Sequence, residues 1–147
     1  MIIRTMNDKK FLILSDIDIQ ALINMQEALT GILRDAKDKQ DEVYRTYQMA
    51  AVQAFEVSYE AAWKICQKVL KKYALNFHYS KDVFRESAKI GLLNDPETWF
   101  EFLEIRNETT HTYNADILNE IFTIIPKFLV ELESLIENLK SFSNKET

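Results

Sequence analysis

The sequence predicts an all-α fold, an up-down four-helix core with one additional short helix, and three observations carry that prediction. Apolar residues recur at steps of three and four through most of the 147 residues, the spacing of one buried helix face. Only two glycines and two prolines are present, so turns are scarce and the helices must be few and long. Polar or turn-forming stretches, "KDKQD" at 37–41, "NFHYS" at 76–80 and "NDPE" at 94–97, separate the periodic runs.

The first helix runs from Asp18 to about Ala36, with Leu22, Met25, Leu29, Ile32 and Leu33 on one face and Asn24, Glu27 and Asp35 on the other. A much longer second helix, about Glu42 to Tyr73, keeps the step through Tyr44, Tyr47, Ala51, Phe55, Tyr59, Ala62, Cys66, Val69 and Tyr73. Ser80 is placed to cap a short third helix carrying Val83, Phe84, Ala88 and Ile90, and Gly91 to end it with a positive φ. Asp95 can cap the fourth, with Pro96 in the first turn, where a missing N–H costs nothing; Trp99, Phe102 and Leu103 follow. Asn114 can cap the last helix, which buries Ile117, Ile121, Ile125, Phe128, Leu132 and Leu135 and meets a break in hydrogen bonding at Pro126. The expected boundaries are an N-terminal extension over 1–16, a helical domain over 17–139 and a flexible tail over 140–147. Long apolar stripes on the second and last helices exceed what a small isolated bundle covers, which predicts a homodimer.

Charge and composition narrow the function classes. Eighteen basic against 23 acidic residues, a net charge of −5, argue against a basic scaffold for long nucleic acid and leave room for a local site. The single cysteine, Cys66, cannot form an intrachain disulfide, and its apolar neighbours predict a buried thiol in a reducing compartment. The start, "MIIRTMNDKKFLIL", lacks signal-like flanks, and no run approaches the roughly 18 apolar residues of a membrane span. A cytoplasmic protein away from membranes is the expectation. No Cys–His cluster, H-E-x-x-H or glycine-rich phosphate loop occurs, and His78 is too far along the chain from His111 to argue for a metal.

One stretch departs from plain helix: "IRNETTHTYN", residues 105–114. An arginine fork can hold a phosphate and offset charge on its oxygens, and a histidine can move a proton near neutral pH without a metal. On an ideal helix Arg106 and His111 are turned about 140° apart, whereas Asn107 and His111 form an i,i+4 pair. Convergence of Arg106 and His111 needs the helix to tighten, break or bend. Thr109, Thr110, Thr112 and Asn114 favour such an irregularity by competing for backbone hydrogen bonds. The bland alternative makes Arg106 a surface salt bridge and His111 a helix-end cap. A second constellation lies on the long helix, where Gln53, Glu56, Glu60 and Lys64 form a polar stripe beside Phe55, Tyr59 and Trp63. Such a stripe is either solvated surface or the lining of a cleft. Trp63, Trp99, Phe100 and Phe102 are large enough to stack on a base, but their helical spacing favours packing.

"RNETTHTY", preceded by "PETWFEFLEI", resembles the RNxxxH motif of the HEPN superfamily of nucleotide-binding helical domains. "QAFEVSYEAAWKICQKVL" at 53–70 and "VFRESAKIGLLNDPETWF" at 83–100 resemble its nucleotidyltransferase substrate-binding subgroup, so the likeness covers roughly residues 17–135. The resemblance implies a four-helix core in a homodimer, a separately encoded minimal nucleotidyltransferase as partner, and a toxin and antitoxin relationship. It implies a metal-independent endoribonuclease site in which Arg106 and His111 match the catalytic pair and Asn107 the polar residue that shapes the site. Tyr113 matches a tyrosine modified with adenylate by the partner, which uses ATP and magnesium; no cofactor is implied in this chain. Gln53, Glu56, Glu60 and Lys64 then line the dimer cleft or contact Arg106. Ile105 stands before the arginine where an acidic residue is expected, with Glu104 one position further back. Three function classes follow: a non-catalytic partner that places a nucleotidyltransferase's substrate, a ribonuclease toxin acting on RNA, and a helical assembly protein with a vestigial RNxxxH site.

Overall fold

The computed structural model describes residues 17–144, and they form five α-helices and one 3-10 turn, with no strand among the described residues. In chain order these are α1 (Ile19–Ala36), α2 (Asp41–Lys72), α3 (Ser80–Lys89), α4 (Pro96–Glu108), the 3-10 turn Thr109–His111, and α5 (Ala115–Asn144). The expected extension over 1–16 and the tail's last residues, 145–147, lie outside the described residues.

Several boundaries have a local cause. Asp18 accepts the Ala21 N–H at 2.9 Å and starts α1, and Asp95 accepts the Glu97 N–H at 3.0 Å while Pro96 takes the first position of α4. Ser80 is not the cap of α3: Tyr79 holds that place in extended conformation and Ser80 is the first helical residue. Gly91, at φ +83°, closes α3 in a left-handed cap, with the Leu92 and Gly91 N–H groups donating to the carbonyls of Ser87 and Ala88. The end of α2 uses the same motif without a glycine. Ala74 sits at φ +63°, and the Leu75 and Ala74 N–H groups donate to the Leu70 and Lys71 carbonyls.

The four-residue link after α1 returns the chain so that α2 packs along it as an antiparallel neighbour. Helix α2 is the axis of the fold, touching α1, α3, α4 and α5, while α5 also covers α1 and α4. Short α3 leans on α2 and α4 as the additional helix. At the centre, the Phe128 ring of α5 meets Phe55 of α2 at 4.9 Å and Phe102 and Trp99 of α4 at 5.3 and 5.9 Å, all edge-on. Edge-to-face contact suits the quadrupoles of aromatic rings. Tyr44, expected on the apolar face, is at the rim and stacks on Phe122 at 5.8 Å. Helix α5 continues through Pro126 to Asn144 and buries Leu139 and Phe142, past the expected domain boundary at 139.

Candidate functional site

The site forms where α4 runs into α5 beside the middle of α2. Trp99, Phe102 and Ile105 turn one face of α4 into the core, which puts Arg106 at its flank, facing α2. There the Arg106 Nε–H donates to Glu60 Oε1 at 3.1 Å, with about a third of each side chain still exposed. The other Glu60 oxygen, Oε2, accepts the Trp63 Nε1–H at 3.1 Å, one helical turn on. Beneath them Tyr59 is buried; burial pushes its phenol well above the ordinary value, with smaller opposing effects from Ser80 and Arg106 and a reinforcing one from Glu60.

The helix does tighten after Arg106. The Arg106 carbonyl accepts both the backbone N–H of Thr109 and its hydroxyl, the latter at 2.7 Å, and the chain passes into the 3-10 turn. Thr109 is buried and borders a cleft also lined by Val52 and Glu56 of α2. Asn114 then caps α5, its Oδ1 accepting the N–H groups of Asp116 at 2.9 Å and Ile117 at 3.3 Å. His111 and Tyr113 project from the exposed turn so made. The His111 Nδ1 lies 3.3 Å from the Tyr113 Oη, and the Tyr113 residue is 78% exposed.

The remaining expected residues divide by position. Gln53 and Glu56 join Met49, Val52, Thr109 and Thr112 around a cleft of about 320 Å³ beside the motif. Asn107 and Glu104 are exposed on α4. Lys64 belongs to a different cleft, with Asp18, Ala21 and Lys68 between α1 and α2. Ile105 is buried, so the acidic support for Arg106 comes from Glu60 across the helix interface rather than from the preceding residue. Of the aromatic candidates, Trp99 and Phe102 are core, while Trp63 and Phe100 are half-buried. Phe100 lies under Lys81 and Arg85, at 5.4 and 5.0 Å. Among the described residues no group of His, Cys, Asp and Glu is arranged to hold a metal ion, and no helix is long and apolar enough to cross a membrane.

Residues 20–141 match the model of a family described as nucleotidyltransferase substrate binding protein like. The chain belongs to this family. A probable ribonuclease HepT from Haemophilus influenzae is 32% identical over 103 residues, which cover 67% of this chain and 70% of that protein. A solved structure from Haemophilus influenzae, described as revealing the fold of a substrate-binding domain of a nucleotidyltransferase, superposes with a TM-score of 0.78 at 27% identity, covering 84% of this chain and 99% of its own. A crystal structure from Thermus thermophilus superposes at 0.66 and 28% identity, over 79% and 98% of the two chains. The region shared with the nucleotidyltransferase substrate-binding family thus reaches into all five helices and contains the Glu60–Arg106 pair and the turn bearing His111 and Tyr113.

Proposed function

We propose that this chain is the HEPN-type subunit of a pair with a minimal nucleotidyltransferase, and that as a homodimer it is a metal-independent endoribonuclease, the toxin of a toxin and antitoxin system. The observation that carries the reading is Arg106, partly exposed and fixed by Glu60, one short turn before the exposed His111. Such an arginine can offset charge on phosphoryl oxygens, and the imidazole can take the proton of a ribose 2′-hydroxyl or give one to the leaving 5′-oxygen. The 2′-oxygen bonds to phosphorus, the P–O5′ bond breaks, and a 2′,3′-cyclic phosphate and a 5′-hydroxyl remain. One imidazole cannot be base and acid at once, so two chains facing each other supply both roles.

An apolar face beside the site supports the dimer. Met25 and Ala28 of α1 with Ala50, Ala54 and Val57 of α2 line a shallow groove that shares Gln53 with the cleft next to the motif, and Val43, Met49 and Val57 are exposed large apolar residues of α2. The expected product requires neither metal nor cofactor in this chain; the partner would use ATP and magnesium to place adenylate on Tyr113. Incubating the isolated chain with structured and single-stranded RNAs in EDTA tests the reading. Cleavage leaving a cyclic phosphate is expected. No cleavage by the intact, unmodified dimer would move the assignment to the second reading, a non-catalytic subunit that places the nucleotidyltransferase's substrate, which the description of the structural relative favours.

A further inference from the structure

We propose that Glu60, braced by Trp63, is the positioning residue for Arg106, holding the guanidinium by its Nε edge so that the Nη1–Nη2 edge is presented to phosphate. The inference rests on the reading of the site as one that takes RNA phosphate. A guanidinium offers carboxylates and phosphates two bidentate edges. The contact made by Glu60 is at Nε, 3.1 Å away, which leaves the fork end for a ligand. Glu60 is itself fixed: its second oxygen accepts from the Trp63 indole at 3.1 Å, and Trp63 is half-buried against the core. A carboxylate held at both oxygens defines a direction that a loose surface ion pair does not. The backbone end is also fastened, since the Arg106 carbonyl takes two donors from Thr109. The two residues before Arg106 give it no carboxylate, because Ile105 is apolar and buried and Glu104 faces solvent.

The test reads the guanidinium directly and then its effect on RNA. In the ¹⁵N-labelled full chain the Arg106 Nε–H, assigned by its loss in Arg106→Lys, should exchange with water at least about 10-fold more slowly than in Glu60→Ala. The Trp63 indole N–H should shift with the same substitution, and Trp63→Phe should speed exchange at Arg106. In cleavage assays Glu60→Ala should lower turnover roughly 10- to 100-fold with little change in KM. Glu60→Gln should recover part of the loss, and Glu60→Ala should cost nothing further in an Arg106→Ala background. Circular dichroism of each variant confirms that the bundle is intact. Unaltered Nε–H exchange in Glu60→Ala, or losses that multiply in the double variant, would overturn the proposal. A wild-type chain that cleaves no RNA, yet whose Nε–H responds as expected, supports the positioning role and removes the ribonuclease reading alone; oligonucleotide affinity then carries the double-variant comparison.

Discussion

His111 touches the Tyr113 hydroxyl and stands on an exposed turn, so its removal separates chemistry from folding. His111→Ala should lower RNA cleavage by about 100- to 10,000-fold, the usual worth of a positioned proton transfer, with helicity and association unchanged. Arg106→Ala should reduce the chemical rate more than RNA affinity, because the charge it offsets grows in the transition state. Single-turnover kinetics beside a binding titration checks both. Tyr113 presents its hydroxyl to solvent, within reach of a second enzyme. Transfer of an adenylate from ATP to that oxygen, with pyrophosphate leaving, would put bulk and negative charge where RNA phosphate approaches. Incubation with the cognate nucleotidyltransferase, ATP and magnesium should raise the intact mass of wild type by adenylate and suppress cleavage. The same gain in Tyr113→Phe would place the chemistry elsewhere.

At the scale of the element, the ends of the helices and the buried face of α2 make separate predictions. Ala74 holds a left-handed conformation at the close of α2, which an L-residue with a Cβ adopts at a cost of about 1 kcal/mol. Ala74→Gly should raise stability by about 0.5–1 kcal/mol, read from the midpoint of urea unfolding at unchanged slope. Asn114→Ala removes the cap of α5 and should cost about 1 kcal/mol, while also loosening the turn that carries His111 and Tyr113. Near the C-terminal end of α2, burial pushes the Cys66 thiol from 9.0 up to about 12. A raised pKa in the folded state means that its contribution to stability is intact below about pH 9 and is lost as the pH climbs toward 12. Denaturation at pH 7 and pH 10 should show a steeper alkaline loss for wild type than for Cys66→Ala. The native thiol should resist a maleimide that labels the unfolded chain.

For the whole molecule, the question is what covers the apolar face of α1 and α2 beside the site. Val57 and Met49 are exposed on that face, and in the proposed dimer a second copy would bury them and bring two arginine and histidine sets toward one RNA. Sedimentation at micromolar concentration should give a dimer, and Val57→Glu should give a helical monomer that has lost cleavage. Copurification with the cognate nucleotidyltransferase should yield a complex that persists at moderate salt. A monomer of normal helicity, or no complex at any salt, would remove the corresponding part of the proposal.

Local chemistry was legible along the chain because periodicity, caps and turn residues act within a few positions. The five helices, the caps at Asp95 and Asn114, the glycine stop at Gly91 and the tightening after Arg106 all depend on such short-range choices. The motif's chemical types were readable for the same reason: arginine, histidine and tyrosine carry their chemistry with them. Helix faces were less certain at the ends, where Tyr44 lies at the rim and Phe142 lies in the core, because burial there depends on how far each neighbour extends. The pairing of Arg106 with Glu60 spans 46 positions, and no local rule selects Glu60 over Glu56 or Glu104. That choice was made when the aromatic core around Phe128 set how α4 lies against α2, turning one carboxylate of the stripe toward the arginine and leaving another to line the adjacent cleft. Sequence alone therefore determined the helices and the reactive groups they bear, while tertiary packing decided which group supports which, since distance between side chains on different helices is a property of their packing and not of either helix.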